Sequence, residues 1–258
     1  MKVRNLGGED PDHAVMYCVH GNEPCGKYAV EQLIHEDPEI LKPVKLVMAN
    51  PRAVEKDERS IDEDLNRVWN SGRNDTHESS LAEKIEQEIS GTTVLDLHSS
   101  YSHPEPFGLI TGSPAESVKQ FSKLDVEHVA DMREVYDHRI PGVNRIAVEC
   151  GPTGSQHAIE NAYRILKNFL KANGIITGES ETRQLNTYRI YDKVEGENYQ
   201  FTGRNFQEIS EGETYAFREE RSLEAKESFY PVLMSTTGYS DIVGFKAEKV
   251  DGSELGSS

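Results

Sequence analysis

His20 and Glu23 stand three residues apart at the end of an apolar run, residues 13–19, across a Gly21-Asn22 turn. At that spacing an imidazole and a carboxylate can point at one centre, and both are good ligands for zinc. A second apolar run, residues 92–97, also ends in a histidine, His98. A further strand-like stretch, residues 145–151, carries a carboxylate, Glu149. His20, Glu23 and His98 would make a three-ligand set with one position left for water. Glu149 would then be the unliganded carboxylate that takes that water's proton. Between the first two runs lies a charged stretch, residues 50–69, carrying Arg59, Asn66 and Arg67. Guanidinium groups grip carboxylates in a two-pronged fork, so this stretch reads as a clamp for an acidic substrate. Together these groups favour a hydrolase.

Strands over residues 13–19, 44–49, 92–98 and 145–151 must position these groups. Helices are expected over 27–34, 79–89 and 114–124, and from Ser155 as N-cap to Asn173-Gly174. Leu81, Ile85 and Ile89 are four apart, so they share one helix face. This alternation predicts an α/β fold with a largely parallel sheet, whose strand ends bring residues distant in sequence to one edge. Past Gly178 the chain changes to short segments rich in Tyr, Phe, Val and Thr, which predicts β structure. The expected organisation is a zinc-binding catalytic α/β domain over 1–177 and a smaller β-rich domain over 178–258. The tail, residues 251–258, is expected to fray.

With 258 residues, 36% of them hydrophobic, the chain can bury a core. No window approaches the ~18 consecutive apolar residues of a membrane span, and no apolar leader is read at the N-terminus. No membrane partner and a cytoplasmic location are expected. A net charge of −17 excludes a nucleic-acid partner, which needs clustered Lys and Arg. Dispersed acidic charge suits an ordinary cytosolic protein or one working at high salt. Cys18, Cys25 and Cys150 form neither a disulfide framework nor a zinc-knuckle spacing and read as buried bystanders. His103, His128, His138 and His157 read as surface or structural residues.

His20-Gly21-Asn22-Glu23, Asn50-Pro51-Arg52-Ala53, Asp64-Leu65-Asn66-Arg67, Asp96-Leu97-His98 and Val148-Glu149-Cys150-Gly151 occur in this order. The set resembles the succinylglutamate desuccinylase/aspartoacylase family, a branch of the zinc carboxypeptidase-like fold, most strongly over residues 13–155. The resemblance implies a mixed sheet flanked by helices, with one Zn²⁺ per chain on His20, Glu23 and His98. It implies Glu149 as the general base that later protonates the leaving amine, and Arg59 as the cation at the carbonyl oxyanion. Asn66 and Arg67 look like the pair that holds a substrate carboxylate. Arg139, ten residues before Glu149, looks like a second carboxylate-binding arginine, and Tyr239 like an active-site tyrosine from the C-terminal region. One departure concerns a tyrosine that the family places four residues before that arginine: here the position is Val135, with Tyr136 adjacent. Asp96 could support His98 from behind or cap strand-end N–H groups.

The implied activity is zinc-dependent hydrolysis of a small anionic N-acyl amino acid, N-acetylaspartate first and N-succinylglutamate next. A metallocarboxypeptidase would share the zinc and the base. A non-catalytic zinc module would need a fourth ligand, and the sequence offers none in the right places. A homo-oligomer is compatible with the sequence.

Overall fold

Hydrophobic alternation along residues 13–17 places Val15 and Tyr17 on one side of a strand and Ala14 and Met16 on the other, and both sides are buried. A strand covered on both faces belongs inside a sheet with helices on each side. The computed structural model, which describes residues 1–136, 139–140, 142–238 and 241–256, has this arrangement. In chain order its strands are β1 (Lys2–Leu6), β2 (His13–Tyr17), β3 (Val44–Met48), β4 (Thr93–His98), β5 (Phe107–Ile110), β6 (His128–Asp131), β7 (Asn144–Glu149), β8 (Asn186–Glu195), β9 (Gln200–Phe201), β10 (Thr214–Arg218), β11 (Arg221–Glu224), β12 (Tyr230–Val232) and β13 (Ile242–Val250). The helices are α1 (Cys25–Glu36), α2 (Pro51–Lys56), α3 (His77–Ile89), α4 (Pro114–Phe121) and α5 (Gln156–Ala172).

Ten strands form one mixed sheet in the order β1-β3-β2-β4-β7-β5-β6-β8-β13-β12. Its centre, β3-β2-β4-β7, is parallel. The chain leaves β2 for β3 on one side, then returns to β4 on the other. That reversal opens a crevice beyond the carboxyl ends of β2 and β4, where ligands bind in open α/β sheets. Helices α1 and α5 cover one face, packing Ala29, Leu33, Ile165 and Phe169 against Val15, Tyr17, Leu97 and Val148. Helix α3 covers part of the other face, with Leu81, Ile85 and Ile89 packed with Ala14, Met16 and Val94.

The expected helices and central strands are present, with ends shifted by a few residues. Parallel pairing holds at the centre and again along β5-β6-β8, but not throughout the sheet. β5 runs antiparallel to β7, and β8, β13 and β12 continue the sheet with antiparallel pairings after β8 joins β6 in parallel. The change of character near Gly178 therefore falls just before a strand of this same sheet, while β11-β10-β9 form a separate small sheet.

Residues 50–69 are more ordered than a charged connection suggests. Asn50 accepts the Ala53 N–H at 3.2 Å and Pro51 takes the first turn of α2, so the Asn-Pro-Arg-Ala motif is a helix start. The tail is a second correction. Leu255 is buried in the core and its carbonyl accepts from Arg133 at 3.1 Å, so the tail is anchored at Leu255. The three cysteines are buried and free. No helix among the described residues is long and apolar enough to cross a membrane.

Candidate active site

His20, His98 and Glu149 sit at or just past the ends of three strands. β2 ends at Tyr17, and Cys18 takes a left-handed conformation, φ 54°, that turns the chain toward His20. Gly21 is needed at the next step: a Cβ there would lie 2.1 Å from the Ala53 carbonyl carbon. Glu23 then returns to His20, its N–H donating to the His20 carbonyl at 3.2 Å. His98 closes β4, Glu149 closes β7, and the two are register partners in adjacent parallel strands.

Donor atoms of His20, Glu23 and His98 all lie within 4.8 Å of one another. His20 Nδ1 is 2.7 Å from Glu23 Oε1, and His98 Nδ1 is 3.0 Å from Glu23 Oε2. The two far nitrogens face carboxylates: His20 Nε2 is 3.1 Å from Asp64 Oδ1, and His98 Nε2 is 2.9 Å from Asp96 Oδ2. Two imidazoles and a carboxylate facing inward, each ring steadied from behind by a carboxylate, make a donor set that fits a zinc ion. Asp96 thus stands behind His98 rather than capping backbone groups.

The charges interlock. Burial alone would raise Glu23, but His20 and His98 outweigh it and hold the carboxyl well below the usual range. Burial would lower His98, but Asp96 and Glu23 outweigh it and hold the ring well above the usual imidazole value. Asp96 is held at about 2 against its burial by Arg145 and His98. Glu149 is the exception. Its Oε2 is buried with no hydrogen-bond partner among the described residues, and burial pushes the carboxyl up to about 7, with His98 pulling it down and Glu23 pushing it further up.

A cavity of about 260 Å³ opens onto this group, lined by His20, Glu23, Arg59, Asn66, Arg67, His98 and Glu149 together. Arg59 Nη1 donates to Glu23 at 3.1 Å and Nη2 to Asp64 at 2.9 Å, so its guanidinium lies beside the histidine cluster. The Arg67 guanidinium stands 4.5 Å from the ring centre of Tyr136, which also lines the cavity. Val135, at the position of the family tyrosine, packs into the core instead. Arg139 is not brought to this cavity; it lines another of about 530 Å³ with Trp69, Gly112 and Arg133. Tyr239 and His138 lie outside the described residues. His103 and His128 join an aromatic cluster around Phe206, and His157 faces Glu105.

Arg145 received no role from the sequence, yet it lines the cavity. Arg145, Ala147 and Glu149 alternate along β7 and therefore share one face, which is the signal that could have found it. Asp64 is another omission. Its place in the Asp64-Leu65-Asn66-Arg67 motif does not reveal its contact with His20 or its hold on the Asn66 N–H at 2.8 Å. Thr111 Oγ1 and Ser99 Oγ also line the cavity, buried and without a hydrogen-bond partner among the described residues.

Comparison with known proteins gives the same family. Residues 9–172 match the model of the succinylglutamate desuccinylase/aspartoacylase catalytic domain. An aspartoacylase of Xenopus tropicalis is 35% identical over 107 residues, covering 35% of this chain and 34% of that one, so the match spans about a third of the relative's length. Among solved structures, a succinylglutamate desuccinylase/aspartoacylase from Rhodobacter sphaeroides superposes with a TM-score of 0.78 at 18% identity, covering 96% of this chain and 89% of that one. Murine aminoacylase 3 gives 0.69 at 18% identity, covering 94% and 97%. These likenesses show the fold, a zinc carboxypeptidase-like one. With the family model covering more than half of it, the chain belongs to the succinylglutamate desuccinylase/aspartoacylase family.

Proposed function

We propose that this chain is a zinc-dependent amidohydrolase that cleaves a small N-acyl amino acid bearing a further carboxylate, with N-acetylaspartate as the leading substrate. The observation that carries the reading is Glu149: a buried carboxylate oxygen without a hydrogen-bond partner among the described residues, beside a His-Glu-His group, in a cavity rimmed by arginines. His20, Glu23 and His98 would hold the zinc, which when bound would polarise the carbonyl and acidify water.

The remaining work falls to the chain's own residues. Glu149 Oε2 takes the proton of the attacking water and later returns it to the leaving amine. A carboxyl raised by burial above the usual range suits both halves of that transfer. Arg59 meets the charge that develops on the carbonyl oxygen. Asn66 and Arg67 grip the substrate carboxylate. A chain of net charge −17 can bind an anion here because the local field, not the total, decides. The aspartoacylase name of the Xenopus relative supports the aspartate product, and N-succinylglutamate is the second candidate.

The test is amine release from N-acetylaspartate, N-succinylglutamate and N-acetylglutamate by protein carrying one zinc per chain, with Glu149→Gln as control. Turnover of one acid, lost in Glu149→Gln while zinc stays bound, supports the reading. Zinc-loaded protein inert toward all three sinks it.

A further inference from the structure

Asn66 Oδ1 accepts two hydrogen bonds, from Arg145 Nη2 and from Trp69 Nε1, each at 2.8 Å. Two donors aimed at one atom can be met only by the amide oxygen, because an amide NH₂ there would present donor to donor. The Asn66 amide is therefore locked, and its two N–H donors are left for the cleft that Asn66 lines.

The same guanidinium makes a second connection. Arg145 Nε donates to Asp96 Oδ2 at 2.7 Å and Nη2 donates to that oxygen too, while His98 Nε2 faces it from the other side at 2.9 Å. Arg145 is 3% exposed, so water does not compete for these bonds. Its charge is already balanced by Asp96, which argues against a direct clamp on substrate and for a framing role. On the reading above, that the cleft holds an N-acyl amino acid carboxylate, we propose that Arg145 is a positioning residue. It fixes the donor face of Asn66 toward that carboxylate and, through Asp96, the ring of His98 toward the metal. One buried fork thus ties the substrate clamp to the ligand shell.

Lysine would keep the cation beside Asp96 but has no planar fork to serve Asn66 as well. Trp69 is the single tryptophan of the chain and touches Asn66 directly, so its emission reports on the clamp without any turnover. The experiment titrates the zinc-loaded full chain with N-acetyl-L-aspartate, follows Trp69 emission, and measures zinc affinity by chelator competition. Arg145→Lys should weaken N-acetyl-L-aspartate about tenfold and leave zinc affinity within about threefold. Arg145→Gln should weaken both, zinc by about 10–100-fold. In an Asn66→Ala background, Arg145→Lys should add less than about twofold, since the bond it breaks is already gone.

Wild-type binding by Arg145→Lys, or penalties that simply multiply in the double variant, would overturn the inference. If Arg145→Gln does not fold, Arg145→Lys and the double variant still decide. If the wild type neither binds nor cleaves the probe, the substrate reading has failed, and wild-type zinc affinity in Arg145→Gln would then sink the positioning role on its own.

Discussion

Glu78 Oε1 receives the backbone N–H of Ile61 at 2.7 Å. The same carboxylate accepts from the N–H groups of Asp62 and Glu63 at 3.0 and 3.3 Å and from the Asn50 amide at 2.9 Å. A fully buried carboxylate in the first turn of α3 thus holds the loop that carries Arg59 at one end and Asp64 and Asn66 at the other.

Glu78→Gln would put an NH₂ group against N–H donors. Hydrogen bonds to a charged group contribute about 1.5–3 kcal/mol each, so a loss of about 3 kcal/mol at pH 7 is expected. Burial opposes ionisation of Glu78, but the loop N–H groups outweigh it and lower its pKa. A lowered carboxyl stabilises the fold above the unfolded value, near ~4.3, and loses that contribution as pH falls through the folded value. The gap between wild type and Glu78→Gln in urea melts should therefore narrow on acidification below about pH 4. A gap constant from pH 7 to pH 3 would contradict this.

Glu149→Gln should lower kcat by about 10²–10⁴-fold with zinc stoichiometry unchanged. The base works unprotonated, and its carboxyl is pushed up to about 7 by burial. Bound zinc would add positive charge beside Glu149 and pull the carboxyl below that value, so turnover should rise with pH to a plateau with its midpoint at or below about 7. In metal-free protein the sign of the stability effect is opposite. A raised carboxyl resists ionising in the fold, so wild-type stability falls between about pH 4.3 and 7 as the unfolded chain ionises first. Glu149→Gln removes that loss and should melt at the same or a higher temperature at pH 8.

Removing metal with a chelator should abolish turnover, and zinc should restore it. Asp96→Asn keeps the shape behind His98 but weakens the carboxylate hold on its Nε2, so zinc affinity should drop about 10–100-fold in a chelator competition. Asp64→Asn should weaken zinc through His20 in the same sense. Unchanged affinity in both variants would show that these carboxylates do not support the ligands.

Arg67→Ala should raise KM about tenfold or more with kcat little changed, the signature of lost uniform binding. Arg139→Ala should change KM by less than about threefold, because Arg139 lines a different cavity. Steady-state kinetics of the two variants side by side tests this contrast.

Some of this protein was determined locally and could be read from the chain. Apolar runs ending in His20, His98 and Glu149 mark strand ends, and the Ser155 cap and the 81–85–89 spacing mark helices, because these signals depend on neighbours within a few residues. His20 and Glu23 share a turn, so their convergence was legible as well. Other features required the assembled sheet. The antiparallel entry of β5 and the docking of Leu255 follow from side-chain packing between distant segments, which leaves no periodic trace. Arg145 looked like the first residue of a strand. Only the register of β7 against β4 lets its fork join Asp96 to Asn66, residues 49 and 79 positions away. Arg139 shows the converse: nearness to Glu149 in sequence did not bring it to the cleft, since the side chain's position is set by the fold around Trp69 and Gly112. Residue type and local spacing specified which chemistry was available. Long-range packing and strand register, whose free energy depends on partners tens of residues apart, decided which groups meet.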